Sequence, residues 1–211
     1  MHLPETIDRK IFFDLVRESL FDGALNEEQV AGMEASLDIW ALYSLGLGKS
    51  REILPGVPDT RHLAYIFATS YHETGRKMVA VRETFARFDK DVKLSADYAD
   101  VDPESGERFY GRGQVQLTHK SNFATMGELF GIDLVAAPDI ALGPWASSLI
   151  MFAGMLRGMF TGKSLSDYIN ASGCDYVEAR RVVNGTDRAD MIAGYAEEFE
   201  AALNEASEGG R

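Results

Sequence analysis

Two glutamates stand ten residues apart, Glu73 in "YHETG" and Glu83 in "AVRETFA", with Gly75 between them to let the chain turn and set two carboxyls across a groove. Two carboxylates facing one bond are what glycoside hydrolysis requires: a protonated acid for the leaving oxygen, and an ionised base or nucleophile on the other side. The spacing alone is weak support, because a chain with 33 acidic residues holds many such pairs. Other chemistries fit worse. His72-Glu73 is not a zinc-protease motif, since position 76 is Arg76 rather than a second histidine, and His2, His62, His72 and His119 have no metal-ligand spacing. Gly111 and Gly113 lack the third glycine of a dinucleotide fingerprint, and no strand precedes them. No metal and no cofactor is therefore expected.

Positioning these groups falls to helices. Glu73 ends the apolar run "HLAYIFATSYHETG", in which Leu63, Ile66 and Phe67 recur at helical spacing and Asp59 or Thr60 serves as the cap, so the acid lies where a core-facing stripe runs out. "IDRKIFFDLVRESLF" puts Ile11, Phe12, Leu15 and Leu20 near one face; "NEEQVAGMEASLDIWALYSLG" does the same with Val30, Met33, Leu37, Trp40 and Leu45, behind Asn26 as N-cap. A Gly- and Pro-rich stretch, "GLGKSREILPGVPDT", joins this pair to the main body. "PWASSLIMFAGMLRGMF" reads as a central helix, and "SLSDYINA", "CDYVEARRVVNG" and "RADMIAGYAEEFEAALNEA" as three more. Residues 87–108 read as a surface loop or a short hairpin. The organisation expected is an N-terminal helical pair over 1–58 packed on the core, a catalytic domain over 59–205, and a frayed tail over 206–211.

Composition narrows the partners. With 45% hydrophobic and 26% charged residues, 211 residues suffice for one soluble domain, or one domain with two lobes. A net charge of −12 argues against a general polyanion binder, so no nucleic-acid partner is expected. Cys174 is the single cysteine and has no internal partner. The first residues do not read as a secretion signal, which predicts production in the cytoplasm, and no apolar run approaches ~18 residues, so no membrane span is expected.

In order along the chain, "FATSYHETG", "VRET", "ERFYGRGQVQLTHKSNF", "GIDLVAAPDIAL" and "RRVVNG" together resemble the catalytic core of family 19 glycoside hydrolases, the plant class I and bacterial chitinases and their bacteriophage endolysin relatives. The resemblance implies a mainly α, lysozyme-like, two-lobed helical domain with a catalytic cleft, with room for a short β-hairpin. It implies single-step inverting hydrolysis of a β-1,4 link at an N-acetylhexosamine, with Glu73 as general acid and Glu83 as general base. Inversion needs a water between base and sugar, and so carboxyls ~6.5–9.5 Å apart. By the same resemblance Thr118 holds that water, Gln116 and Asn122 bind acetamido and hydroxyl groups, and Asn184 lies on the opposite wall. Tyr110 can supply an amphipathic wall, while Arg112 is expected to anchor carboxylates rather than substrate. Arg180, Arg181 and Arg188 could each pair with Glu73 or Glu83, Arg188 being the best candidate and a substrate-binding residue. Arg82, beside Glu83, is expected to face solvent or a structural partner.

These residues have plainer readings too. Thr118, Gln116 and Asn122 could be strand or turn residues serving backbone groups, His72 and His119 structural hydrogen-bonders, and Tyr71 and Phe85 core. As to substrate, the chain lacks the disulfides and secretion signal of the plant enzymes and is compact. It therefore looks more like an endolysin or virion-associated lysin acting on peptidoglycan at the bacterial cell wall after holin-dependent release or virion delivery. Chitin or its oligosaccharides form the alternative polymer. A non-catalytic structural or wall-binding component of a phage particle is the third reading.

Overall fold

The computed structural model describes residues 7–83 and 100–208. Most of them lie in seven helices: α1 (Arg9–Leu20), α2 (Glu27–Leu45), α3 (Ser50–Ile53), α4 (Thr60–Glu73), α5 (Lys120–Phe130), α6 (Pro144–Arg157) and α7 (Ala189–Glu208). Two antiparallel pairs accompany them, β1 (Val81–Arg82) with β2 (Arg112–Gly113), and β3 (Ile169–Asn170) with β4 (Gly173–Cys174). The expected loop or hairpin over 87–108 and the core position of Phe85 fall largely or wholly outside the described residues; residues 102–107 form a turn in which Asp102 accepts from the Ser105 backbone N–H and hydroxyl.

Local chemistry explains the helix starts. Asp8 accepts from the Ile11 N–H at α1, Asn26 and Gln29 form a reciprocal capping box at α2, and Asp59 accepts from the Arg61 N–H at α4. The α1 stripe is Phe12, Val16 and Leu20; Leu15, expected on it, is 37% exposed, because 12, 16 and 20 follow the four-residue spacing that stays on one face. In α2, Met33, Leu37 and Trp40 are buried as expected, while Leu45 in the last turn is exposed.

Two apolar cores divide the molecule into lobes. The larger gathers α1, α2, α4, most of α6 and α7 around Phe12, Phe67, Phe152 and Phe199, where each buried aromatic ring contributes about 1.5–3 kcal/mol. The smaller is built from Phe109, Leu117, Phe123, Met126, Leu134, Ala141 and Ile150. Helix α6 is shared: Ile150 belongs to the small core, and its neighbours Leu149 and Met151 to the large one. Within the large lobe α7 lies against α4 and α1, and α2 lies against α6.

Three elements depart from the sequence reading. "SLSDYINA" forms a single 3-10 turn, Leu165–Asp167, and then β3, because Ser164 and Asp167 close a capping box over one turn and the chain immediately pairs with β4. "CDYVEARRVVNG" holds a 3-10 helix, Glu178–Val182, rather than an α-helix. The tail is helical through Glu208, with Ala206 buried and its carbonyl accepting from the Asp8 N–H, so only residues 209–211 of the expected frayed end lie outside the described part. Conversely, α5 carries Asn122 where a strand or turn was considered.

Candidate active site

Glu73 is the last residue of α4, where the apolar stripe of the helix ends. Its carboxylate accepts from Arg180 Nη1 at 2.7 Å; the Arg180 side chain is 3% exposed and the Glu73 side chain 24%. A guanidinium this buried needs a counter-charge, and Glu73 supplies it while keeping a face toward solvent. Arg180 also donates through Nε to the Asp187 carbonyl, and its own carbonyl accepts from the Asn184 N–H, so the acid, Arg180 and the backbone at Asn184 form one unit. This corrects the expectation for Arg188. Arg188 is exposed, with its Nε 3.9 Å from Asp187, and the pairing with Glu73 falls to Arg180, which the 3-10 helix turns inward.

Glu83 follows β1. Its backbone N–H donates to the Gly111 carbonyl and its Oε2 accepts from the Gly111 N–H, both at 2.8 Å, so one residue holds the main chain and the carboxylate together. A methyl group at Gly111 would lie 2.5 Å from Gln116 Oε1 and 3.2 Å from Glu83 Oε2, which makes glycine the residue that fits. Gln116 sits at φ 52° in the tight loop between Arg112 and Leu117 and donates through Nε2 to the carbonyls of Val81 (2.8 Å) and Gly113 (3.0 Å). Its amide N–H groups are thus engaged by the hairpin, and its carbonyl oxygen is the end turned to Gly111 and Glu83.

The remaining expected residues are spread over the hairpin, the start of α5 and the segment after the Glu178–Val182 turn. Thr118 is half-buried and its hydroxyl makes no hydrogen bond among the described residues, while its carbonyl accepts from Asn122 Nδ2 at 2.8 Å. Asn122 is exposed on the first turn of α5. Asn184 is exposed, with Oδ1 accepting from the Gly185 N–H at 2.8 Å. Tyr110 is 7% exposed and lies against cations: the Arg112 guanidinium sits 3.7 Å from its ring centroid, and Arg82 donates to its hydroxyl. It is a packed part of the hairpin base more than an open wall.

Arg112 anchors a carboxylate, as the sequence suggests: it is 2% exposed and donates through Nε to Asp139 at 2.7 Å, and through Nη1 to the Arg108 carbonyl. Arg82 meets the same Asp139 at 2.6 Å, the structural partner foreseen for it. The two arginines, Arg82 first, hold the Asp139 carboxyl below its ordinary range. Sequence reasoning overlooked Asp139, together with Gln114 and Ser70, which lie beneath the hairpin. No composition or spacing signal separates these from ordinary turn and helix residues.

The expected residues therefore fall into two groups: Glu73, with Arg180 and Asn184, on elements of the larger core, and Glu83, with Gln116, Thr118 and Tyr110, on the hairpin beside the smaller one. Among the described residues no cluster of His, Cys, Asp or Glu is arranged to hold a metal, and no helix is long and apolar enough to cross a membrane.

Comparison with known proteins identifies the family and the fold. The chain is 24% identical over 198 residues to endochitinase 2 of Solanum tuberosum, covering 86% of this chain and 60% of that protein. It is 31% identical over 84 residues to chitinase 2 of Oryza sativa subsp. japonica, covering 36% of this chain and 25% of that one. The chain thus spans a quarter to three fifths of the length of these two relatives. Among solved structures it shares its fold with chitinase C from Streptomyces griseus (TM-score 0.59, 16% identity, 96% of this chain and 78% of that one) and with the class IV chitinase from Zea mays (TM-score 0.54, 16% identity, 94% and 95%). That coverage takes in α1 and α2, which the sequence motifs leave out, and identifies the fold as the lysozyme-like one of these enzymes. The family model for class I chitinases matches residues 56–162, from just before α4 to just beyond α6, and the chain belongs to that family, glycoside hydrolase family 19.

Proposed function

We propose that this chain is an inverting glycosidase that cleaves β-1,4 links at N-acetylhexosamine units, with Glu73 as general acid, Glu83 as general base and Thr118 holding the attacking water. The observation that carries this is the different setting of the two carboxylates. Glu73 is tethered by one oxygen to Arg180 on one lobe, and Glu83 by one oxygen to the Gly111 N–H on the other, so that among the described residues each keeps its second oxygen for a substrate or a water. The unengaged Thr118 hydroxyl, close along the hairpin to Glu83, supports an oriented water. Gln116, Asn122, Asn184 and Arg188 then contact the sugar or its substituents.

The substrate is a polymer of β-1,4-linked N-acetylhexosamine. The relatives are named as chitinases, which supports chitin. Peptidoglycan shares the same linkage and is the substrate of the endolysin reading, in which the enzyme reaches the cell wall by holin-dependent release or with a virion. Digests of purified chitin and of purified peptidoglycan, read by mass spectrometry, separate the two, and the reducing-end sugar identifies the bond. Early-turnover NMR should show the α-anomer as the first product of a β-linked substrate. The β-anomer appearing first would exclude a directly attacking water, and silence on both polymers would leave a structural component.

A further inference from the structure

Beneath the two glutamates lies a set of polar side chains in the interior. Gln114 is 1% exposed, and both polar atoms of its side-chain amide are engaged: Oε1 accepts from Ser70 Oγ at 2.8 Å and Nε2 donates to Ser148 Oγ at 3.0 Å. Its backbone N–H donates to Ser147 Oγ at 2.8 Å. Ser148 in turn lies 3.1 Å from Ser36 Oγ on α2. Ser36, Ser70, Ser147 and Ser148 are each at most 1% exposed.

A network of this kind adds little to stability over apolar packing, since a buried hydrogen bond only offsets its own desolvation. Its distinctive property is direction: in a low-dielectric interior a satisfied amide tolerates one arrangement of its partners. Here the partners are the elements that carry the glutamates. Ser70 lies three residues before Glu73 on α4, and its carbonyl accepts at 2.6 Å from Thr74, whose oxygen takes the Met78 N–H at 2.9 Å. Gln114 follows Gly113, which pairs with Val81 two residues before Glu83. The third arm reaches α2, where Gly32 brings the helix so close to Met78 that a methyl there would lie 1.9 Å from its carbonyl oxygen. Ser70 before Glu73, Met78 through Thr74, and Val81 before Glu83 are thus all connected to one amide.

We propose that Gln114 is a positioning residue that fixes the placement of the Glu73 and Glu83 carboxyls relative to each other. The inference rests on the two-glutamate reading. Its test uses the full chain labelled with carboxyl-13C glutamate, the Glu73 and Glu83 resonances being assigned from Glu73→Gln and Glu83→Gln. In Gln114→Leu both resonances should move, kcat on the hydrolysed polymer should fall about tenfold to a hundredfold, and KM should stay within about twofold, the pattern of a misplaced catalytic group. Gln114→Glu, whose buried carboxyl is held neutral and keeps both hydrogen bonds, should recover most of the loss. If Gln114→Leu does not fold, Ser148→Ala removes one of the two side-chain bonds of Gln114, together with the Ser36–Ser148 bond, at little change of volume and should give the same signs with smaller size. Unmoved glutamate resonances in a folded variant, or activity falling only in step with melting temperature, would overturn the proposal. Should the wild type hydrolyse neither polymer, the catalytic reading fails, and the resonance shifts alone still decide whether Gln114 sets the two carboxyls.

Discussion

At the scale of single residues, the acid and the base are held by different means, and they should respond differently to substitution. Glutamine at position 73 keeps an oxygen for Arg180 but has no proton to give. Glu73→Gln should therefore lower kcat by about 10²–10⁴ with polymer binding near wild type, and should also lower the melting temperature because the buried Arg180 loses its counter-charge, as measured by turnover, calorimetric titration and thermal unfolding. Wild-type turnover by that variant would end the assignment. At Gly111 the added methyl of an alanine meets an amide whose nitrogen is already pinned by Val81 and Gly113, so it cannot simply swing away. Gly111→Ala should destabilise by about 1–3 kcal/mol and cost activity beyond that, through displacement of Gln116 and Glu83. Glu73, Glu83, Gln116 and Thr118 were legible because they fall in long motifs with fixed order. Arg180 was hidden among three nearby arginines, since a 3-10 turn does not announce which of its side chains points inward.

At the scale of elements, α4 is the rod that connects the candidate active site to the opposite end of the large lobe. Its periodicity and its Asp59 cap were readable directly, and it is buried along almost its whole length. The β3–β4 hairpin was not readable: Tyr168 and Ile169 suit a helix or a strand equally, and the choice is made by tertiary bonds from α4, Arg61 Nη2 to the Asn170 carbonyl at 2.9 Å and His62 Nε2 to the Ile169 carbonyl at 2.8 Å. Because the carbonyl can only accept, His62 Nε2 carries the proton. Burial holds its pKa below the ordinary 6.5, outweighing the hydrogen bond to Ile169 and the nearby Asp59. The native state therefore binds fewer protons than the unfolded chain as pH falls below 6.5. The stability tied to a neutral His62 is present above that value and is lost from 6.5 down toward the depressed native pKa. Melting temperatures from pH 7.5 to 5 should fall more for wild type than for His62→Gln, which keeps a donor for Ile169 without titrating. Parallel curves would remove His62 as the source.

At the scale of the whole molecule, the first two helices are built into the larger core. Phe12 stacks on Phe67 of α4, Arg9 bonds Glu34 and Asp38 of α2, and the Leu20 carbonyl accepts from Tyr71 and Arg76 around the end of α4. A fragment starting at residue 59 would leave Phe67, Tyr71 and the α6 face uncovered. It should be poorly soluble and lack a cooperative unfolding transition, measured by light scattering and calorimetry. A stable and fully active fragment would show instead that α1 and α2 are a separable docking module. The apolar stripes foretold that these helices must be covered; what covers them is long-range packing, which no local pattern encodes.

The hairpin at the far end of α4 also carries Cys174, the chain's one thiol, exposed but with its pKa raised above 9.0, first of all by burial. At neutral pH the reactive thiolate is a small minority, so adventitious oxidation to a covalent dimer is slow, whereas alkylation becomes practical when the solution is made alkaline. The twelve residue steps of α4 from Arg61, which bonds this hairpin, to Glu73 span about 18 Å. One fluorophore on Cys174 is thus a ready reporter, remote along α4 from Glu73 yet within energy-transfer range of a label placed beside that acid.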